Sequence, residues 1–158
     1  MRVIAGSARG KQLQSLPGEE ITRPTINRVK EAMFSSVQFL VPGARVLDLF
    51  AGSGQLGIEA LSRGAAQCTF LDASPDAVRI VTANCAAARV QDRARISCGD
   101  ALPQVLPLLA RSMAPGGVVL CESERDAVLP PEAAGLRLVR QYQYGKILVS
   151  RYEREETP

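Results

Sequence analysis

Apolar and polar positions change period along this chain, and the changes mark its elements. Residues 1–22 alternate weakly around Gly6, Gly10, Pro17 and Gly18, which reads as a short hairpin or extended arm rather than a helix. From Ile26 to about Leu40, the residues Val29, Met33, Phe34 and Val37 recur at helical spacing, with Thr25 as the expected cap and Pro42-Gly43 as the stop. Short apolar runs then alternate with helical patterns: strand 45–50, helix 53–63, strand 68–72, helix 75–89, strand 94–98 and a short helix at about 103–112. Ala114-Pro-Gly-Gly117 reads as a turn into strand 117–122. A last pair, 136–143 and 146–152, meets at the hairpin signal Tyr144-Gly145, and Glu153 to Pro158 reads as a frayed tail. Alternating strand and helix predicts one α/β domain over 1–158. Its core, 45–152, is a doubly wound, mostly parallel, Rossmann-like sheet with an antiparallel C-terminal hairpin, and ligand sites lie at the carboxyl ends of the strands.

One stretch carries most of the chemistry. Between strand 45–50 and the next helix, Gly52, Gly54 and Gly57 spell G-x-G-x-x-G in the strand-to-helix context that makes such a match meaningful. The glycines permit a tight turn and close approach of a ligand, and the helix N-terminus offers free N–H groups. A nucleotide-type cofactor is expected there; the alternative is a tight turn without a ligand. Asp48 chooses among cofactors. An acid at the strand tip repels the pyrophosphate of a dinucleotide, whereas S-adenosylmethionine has no phosphate and carries a sulfonium and an ammonium. Asp48 could instead serve as a turn or helix cap, but the pattern shows no need for one four residues before the first glycine. The reading is a class I S-adenosylmethionine methyltransferase rather than an NAD-dependent oxidoreductase.

Two later acids fit that reading. Asp72 closes a second buried strand, where a carboxylate can accept both ribose hydroxyls, a feature shared with NAD binders. It could also cap the following helix, but Ser74, just before Pro75, is the better cap and leaves Asp72 for a ligand. Asp100 follows the third strand and could accept a hydrogen bond from an adenine amine, with Ala101 and Leu102 lining the ring.

Composition narrows the chemistry. Of 158 residues, 46% are hydrophobic and 22% charged, ordinary values for a soluble domain with a sizeable core. No apolar run is long enough to span a bilayer and no signal-peptide core is present, so a cytoplasmic protein without membrane association is expected. The absence of histidine removes every mechanism that needs an imidazole. Four widely spaced cysteines make no zinc pattern, so no metal is expected, and they read as reduced core residues. The net charge of +3 is uneven: residues 1–30 carry six basic side chains against two acidic, and the remainder thirteen against fourteen. A basic arm of this kind suits a phosphate backbone, though a solvated basic surface reads the same way.

With these motifs in view, the chain resembles the bacterial 16S ribosomal RNA guanine-N2 methyltransferases over nearly its whole length. The resemblance rests on Arg2-Val-Ile-Ala-Gly6 with Arg9-Gly-Lys11, on Arg23-Pro-Thr25, on Arg28-Val-Lys-Glu-Ala-Met-Phe34 and on Val46-Leu-Asp-Leu-Phe-Ala-Gly-Ser-Gly54. Gly99-Asp-Ala-Leu102, Ala114-Pro-Gly-Gly117 and Tyr144-Gly145 also fit. It implies methylation of a guanine amine in 16S ribosomal RNA or the small ribosomal subunit; the chain itself is expected to be a monomer. By resemblance Asp48, Gly52 and Gly54 hold the methionine part of the cofactor, Asp72 the ribose and Asp100 the adenine, with Phe50 and Ala101 among the contacts. Arg9, Lys11, Arg23, Arg28 and Lys30 would meet RNA phosphates, and Thr25 would lie near the active-site mouth. For Arg23 and Arg28 the alternative is intramolecular pairing.

One family motif is absent. Amine methyltransferases of this type carry Asp/Asn-Pro-Pro-Tyr/Phe at the fourth strand, whose acceptors aim the amine and whose ring stacks the flipped base. The only Pro-Pro here is Pro130-Pro131, and no aromatic residue occurs between Phe70 and Tyr142, so no catalytic residue is assigned. A crossover, a strand and a second crossover need roughly 30 residues. Only fifteen separate Asp100 from Gly116. Either this is a shortened, inactive relative, or a segment of a longer protein is left out. The second is favoured, because losing a central strand opens the core on both faces. A break in the chain is then expected between Leu102 and Met113. A continuous chain would instead bring Glu122 and Ser123 to the catalytic position.

Overall fold

The computed structural model describes residues 1–17, 23–99, 109, 113–133 and 135–154, with only the backbone of residues 23–26 and 133. Asp100, Ala101 and, apart from residue 109, the expected helix at 103–112 with the expected break therefore lie outside the described residues. The chain divides into two compact units, Met1–Ala101 and Leu102–Pro158. Among the described residues, no helix is long and apolar enough to cross a membrane.

In the first unit the arm folds back on itself. Arg2 and Gln12 form an antiparallel bridge, and Val3 N–H donates to Lys11 O at 3.0 Å. Helix α1 runs Arg23–Ser36, starting and ending earlier than its pattern predicts. Thr25 thus lies in the first turn rather than at the cap. At the other end, Ser35 and Ser36 hydroxyls donate to the carbonyls of Glu31 and Met33, an alternative to further helix, and only turns follow to Val41.

Strands β1 (Arg45–Leu49), β2 (Gln67–Asp72) and β3 (Ala94–Cys98) form a parallel sheet in that order, with Asp48 beside Phe70 and Asp72 beside Cys98. Among the described residues β1 pairs with β2 alone. Helix α2 (Gln55–Ser62) returns from β1 to β2, and α3 (Pro75–Ala87) from β2 to β3. Gly57 sets how closely α2 lies on the sheet: a Cβ there would meet Phe70 Cε1 at 2.2 Å and Cys68 Sγ at 2.7 Å. Ile58, Leu61, Cys68, Phe70, Val81 and Cys85 fill the resulting core, each at most 1% exposed.

The second unit is an antiparallel sheet ordered β4 (Val118–Glu124), β7 (Ile147–Arg154), β6 (Leu136–Tyr144) and β5 (Glu132–Ala133). The predicted turn before β4 is closed by Gly117 N–H to Ala114 O at 2.9 Å, and Gly145, with φ 60°, turns β6 into β7. Glu153 and Arg154, expected to fray, pair with Val118 and Leu136. Tyr152 O–H donates to Pro130 O at 2.8 Å, tying the Pro-Pro segment to this sheet.

Candidate functional site: the glycine turn and its carboxylates

The turn after β1 is made by backbone conformations that few residues tolerate. Phe50, Gly52 and Gly54 have φ values of 57°, 54° and 75°. Two glycines accept that region freely; a phenylalanine does not, and its ring stands 60% exposed at the strand tip. These left-handed residues end β1 at Leu49 and delay α2 to Gln55, two residues later than the sequence pattern suggests. Gly54 then occupies the cap position with no side chain to cap the helix.

Asp48 fills that deficiency, which corrects the expectation that it caps nothing. Its Oδ2 accepts the Gly57 N–H at 2.9 Å, one of the first-turn donors that a helix cannot satisfy itself. The carboxylate is buried, and desolvation pushes its pKa up to about 7, opposed by the Gly57 hydrogen bond and reinforced by the charge of Asp72. Nor does Ser74 leave Asp72 unengaged. Ser74 does cap α3, accepting Ala77 N–H at 3.4 Å, yet Asp72 Oδ2 accepts Gly52 N–H at 2.8 Å and Oδ1 accepts Ser74 N–H at 2.9 Å. Each oxygen retains a lone pair for a further donor. Two carboxylates therefore converge on one glycine turn.

The basic residues separate. Arg9, Lys11 and Arg28 are exposed, while the side chains of Arg23 and Thr25 lie outside the described residues. Lys30 is 1% exposed and does not present its charge to a ligand. Its Nζ donates to Arg2 O at 2.8 Å and stands 3.3 Å from Glu59 Oε2, so its assignment to RNA is corrected. Burial lowers the Lys30 pKa, and Glu59 offsets part of that. Lys30 shares the spacing of Val29, Met33 and Phe34 on the buried stripe of α1, a signal the sequence carried.

Three buried polar residues went unread. Glu59 accepts the N–H groups of Ile4 and Ala5 at 2.9 and 3.0 Å, and Arg63 Nε at 2.9 Å. The Ser62 hydroxyl accepts Ala8 N–H at 2.9 Å. Asn84 joins Gln14 to Ser53. A lone glutamate inside Leu56–Leu61 was the only clue to them. The cysteines divide as well: Cys68 and Cys85 are buried, but Cys98 is exposed rather than in the core.

The glycine turn at the end of a parallel strand, with an acid on each of β1 and β2, defines the class as Rossmann-like methyltransferase. Comparison of solved structures agrees: a candidate methyltransferase, yhhF of Escherichia coli, superposes with a TM-score of 0.84 at 28% identity, covering 98% of each chain. The family described as "Conserved hypothetical protein 95" matches residues 1–111, and the chain belongs to it. YlbH of Bacillus subtilis, named as a candidate rRNA methyltransferase, is 32% identical over 98% of this chain and 99% of its own length. That alignment spans 183 positions against 158 residues here, so the Bacillus protein has residues without a counterpart in this chain. Ribosomal RNA small subunit methyltransferase D of Haemophilus influenzae is 49% identical over 72 residues, 46% of this chain and 37% of that protein.

Proposed function

We propose that this chain, as one methyltransferase domain, transfers a methyl group from S-adenosylmethionine to the exocyclic N2 of a guanine in 16S ribosomal RNA. The observation that carries the reading is the convergence of Asp48 and Asp72 on the glycine turn. Burial raises the Asp48 pKa to about 7 and the nearby Asp72 charge adds to it, so a cation bound beside the two acids stabilises their charged forms. A sulfonium and an ammonium supply that positive charge; a pyrophosphate would add to the repulsion. The residues fit this cofactor, which when bound supplies an electrophilic methyl group.

Asp48 and the backbone at Gly52 and Gly54 would hold the methionine part, beside the Phe50 ring. Asp72 would take the ribose, and Asp100 and Ala101 the adenine. Arg9, Lys11 and Arg28, with Arg23, would neutralise phosphates and set the register of the RNA, and Thr25 would stand near the mouth of the site. Lys30 is not part of that surface.

A second reading rests on a specific observation: the amine-aligning Pro-Pro-aromatic motif is missing, and YlbH aligns over more positions than this chain has. On that reading the chain binds cofactor and RNA without methyl transfer. Calorimetry with S-adenosylmethionine and with NAD, followed by tritiated-methyl incorporation into small-subunit RNA, separates the cases. Binding with incorporation is the expected result, binding without it selects the second reading, and affinity for NAD alone sinks both.

A further inference from the structure

The side chain of Asn84 on α3 is 1% exposed, yet three of its hydrogen-bonding positions are used, and they reach two different places. Its Oδ1 accepts Gln14 N–H at 2.8 Å, and its Nδ2 donates to Gln14 O at 3.0 Å. The amide thus stands in for a neighbouring strand at the end of the N-terminal arm. The remaining Nδ2–H donates to Ser53 O, inside the glycine turn, at 2.9 Å. One helical turn earlier, Val81 packs on the same turn: a Cβ on Gly54 would meet Val81 Cγ2 at 3.1 Å. A second contact links arm and turn directly, since Ser53 Oγ donates to Met1 Sδ at 3.8 Å.

We propose that Asn84 is a positioning residue that couples cofactor binding to docking of the N-terminal arm, so that the cofactor-loaded protein holds RNA more tightly than the free protein. The inference rests on the function proposed above. If the arm leaves, a buried amide loses its partners at Gln14, and nothing then holds its orientation toward Ser53. The turn Phe50–Gly54 loses a brace at the position where the cofactor is expected. A ligand that orders the turn favours the docked arm, and RNA bound to the docked arm favours the ordered turn. The two effects are equal by thermodynamic necessity.

The test measures the coupling, not turnover. An RNA hairpin of small-subunit sequence is titrated by fluorescence anisotropy with and without saturating S-adenosylhomocysteine, and the latter by calorimetry with and without the RNA. The parent should show one shared factor of about tenfold, within the roughly 5–150-fold span of such couplings. Asn84→Ala should bring the factor to about one. Gln14→Pro, which deletes the backbone donor at an exposed residue, should do the same and serves where Asn84→Ala fails to fold. Thr82→Ala, exposed on α3, should keep it. A merely structural Asn84 would lower stability and leave the factor unchanged. An unchanged factor in folded Gln14→Pro, or a factor of one in a parent that binds both ligands, overturns the coupling alone. A parent that binds no RNA overturns the proposed function and the coupling with it.

Discussion

Lys30 Nζ and Glu59 Oε2 lie 3.3 Å apart, and neither side chain reaches solvent. One carboxylate thereby joins the arm, through Ile4 and Ala5, to α1, through Lys30, and to the helix that follows the glycine turn. Burying both charges is costly, and it is offset because each finds further partners. Removing one member leaves the other uncompensated. Glu59→Gln or Lys30→Met should each lose about 3–5 kcal/mol of stability in urea denaturation. The double replacement Lys30→Met, Glu59→Gln, which keeps an acceptor for the arm's N–H groups, should lose less than the two single losses added together. Single losses below about 1 kcal/mol would remove this pair as a brace.

The same geometry sorts the basic residues by function. Replacing Arg9, Lys11 and Arg28 with glutamine should lower RNA affinity and flatten its salt dependence, by roughly 0.7–0.9 log-log units for each phosphate no longer neutralised. A folded Lys30 variant should keep the parent slope. Equal slopes throughout would return the arm to an ordinary solvated surface.

Asp48 gives a pH dependence of defined sign. Its pKa rises on folding from 3.8 to about 7, mainly through desolvation. Between those values the folded chain binds more protons than the unfolded one. The stability linked to this group is therefore fully present below 3.8 and is lost as pH rises toward about 7, by roughly 1.4 kcal/mol per unit across the window. Asp48→Asn should flatten that part of the profile. S-adenosylmethionine affinity should run the opposite way, strengthening up to about pH 7 with proton release, which calorimetry in buffers of different ionisation enthalpy detects. Proton uptake on binding would contradict the assignment.

Gly57 is required by space alone. A methyl group there would sit 2.2 Å from Phe70 Cε1, so Gly57→Ala should cost about 1–3 kcal/mol in denaturation, and Phe70→Leu should restore part of it. Full stability in the single variant would mean that α2 shifts freely on the sheet.

Thiol labelling should follow burial. Cys98 should react first with an aromatic disulfide reagent, while Cys68 and Cys85 should wait for unfolding, their thiols buried and that of Cys85 pushed up to about 12. Early labelling of Cys85 would contradict the packing of α3.

The strand and helix order of the first unit was legible because each element there obeys its own period. Strand 94–98 falls where the apolar run predicts it, and helix 75–89 differs from α3 by only two residues at its end. The glycine turn and the acids after it were legible for a related reason: chemistry that needs a positive φ or a strand-tip charge restricts residue type locally. What the side chains do was decided by the tertiary structure. Lys30 reads as a surface cation until α1 docks and turns it toward Glu59, and Asp48 reads as a free ligand until three left-handed residues delay α2 and set Gly57 N–H above it. The hydrogen bonds of Asn84 span 70 residues to Gln14 and 31 to Ser53. Periodicity records which face of an element is apolar, not which distant backbone donor needs a partner. Partnership across such separations arises only when packing brings the groups together and excludes water.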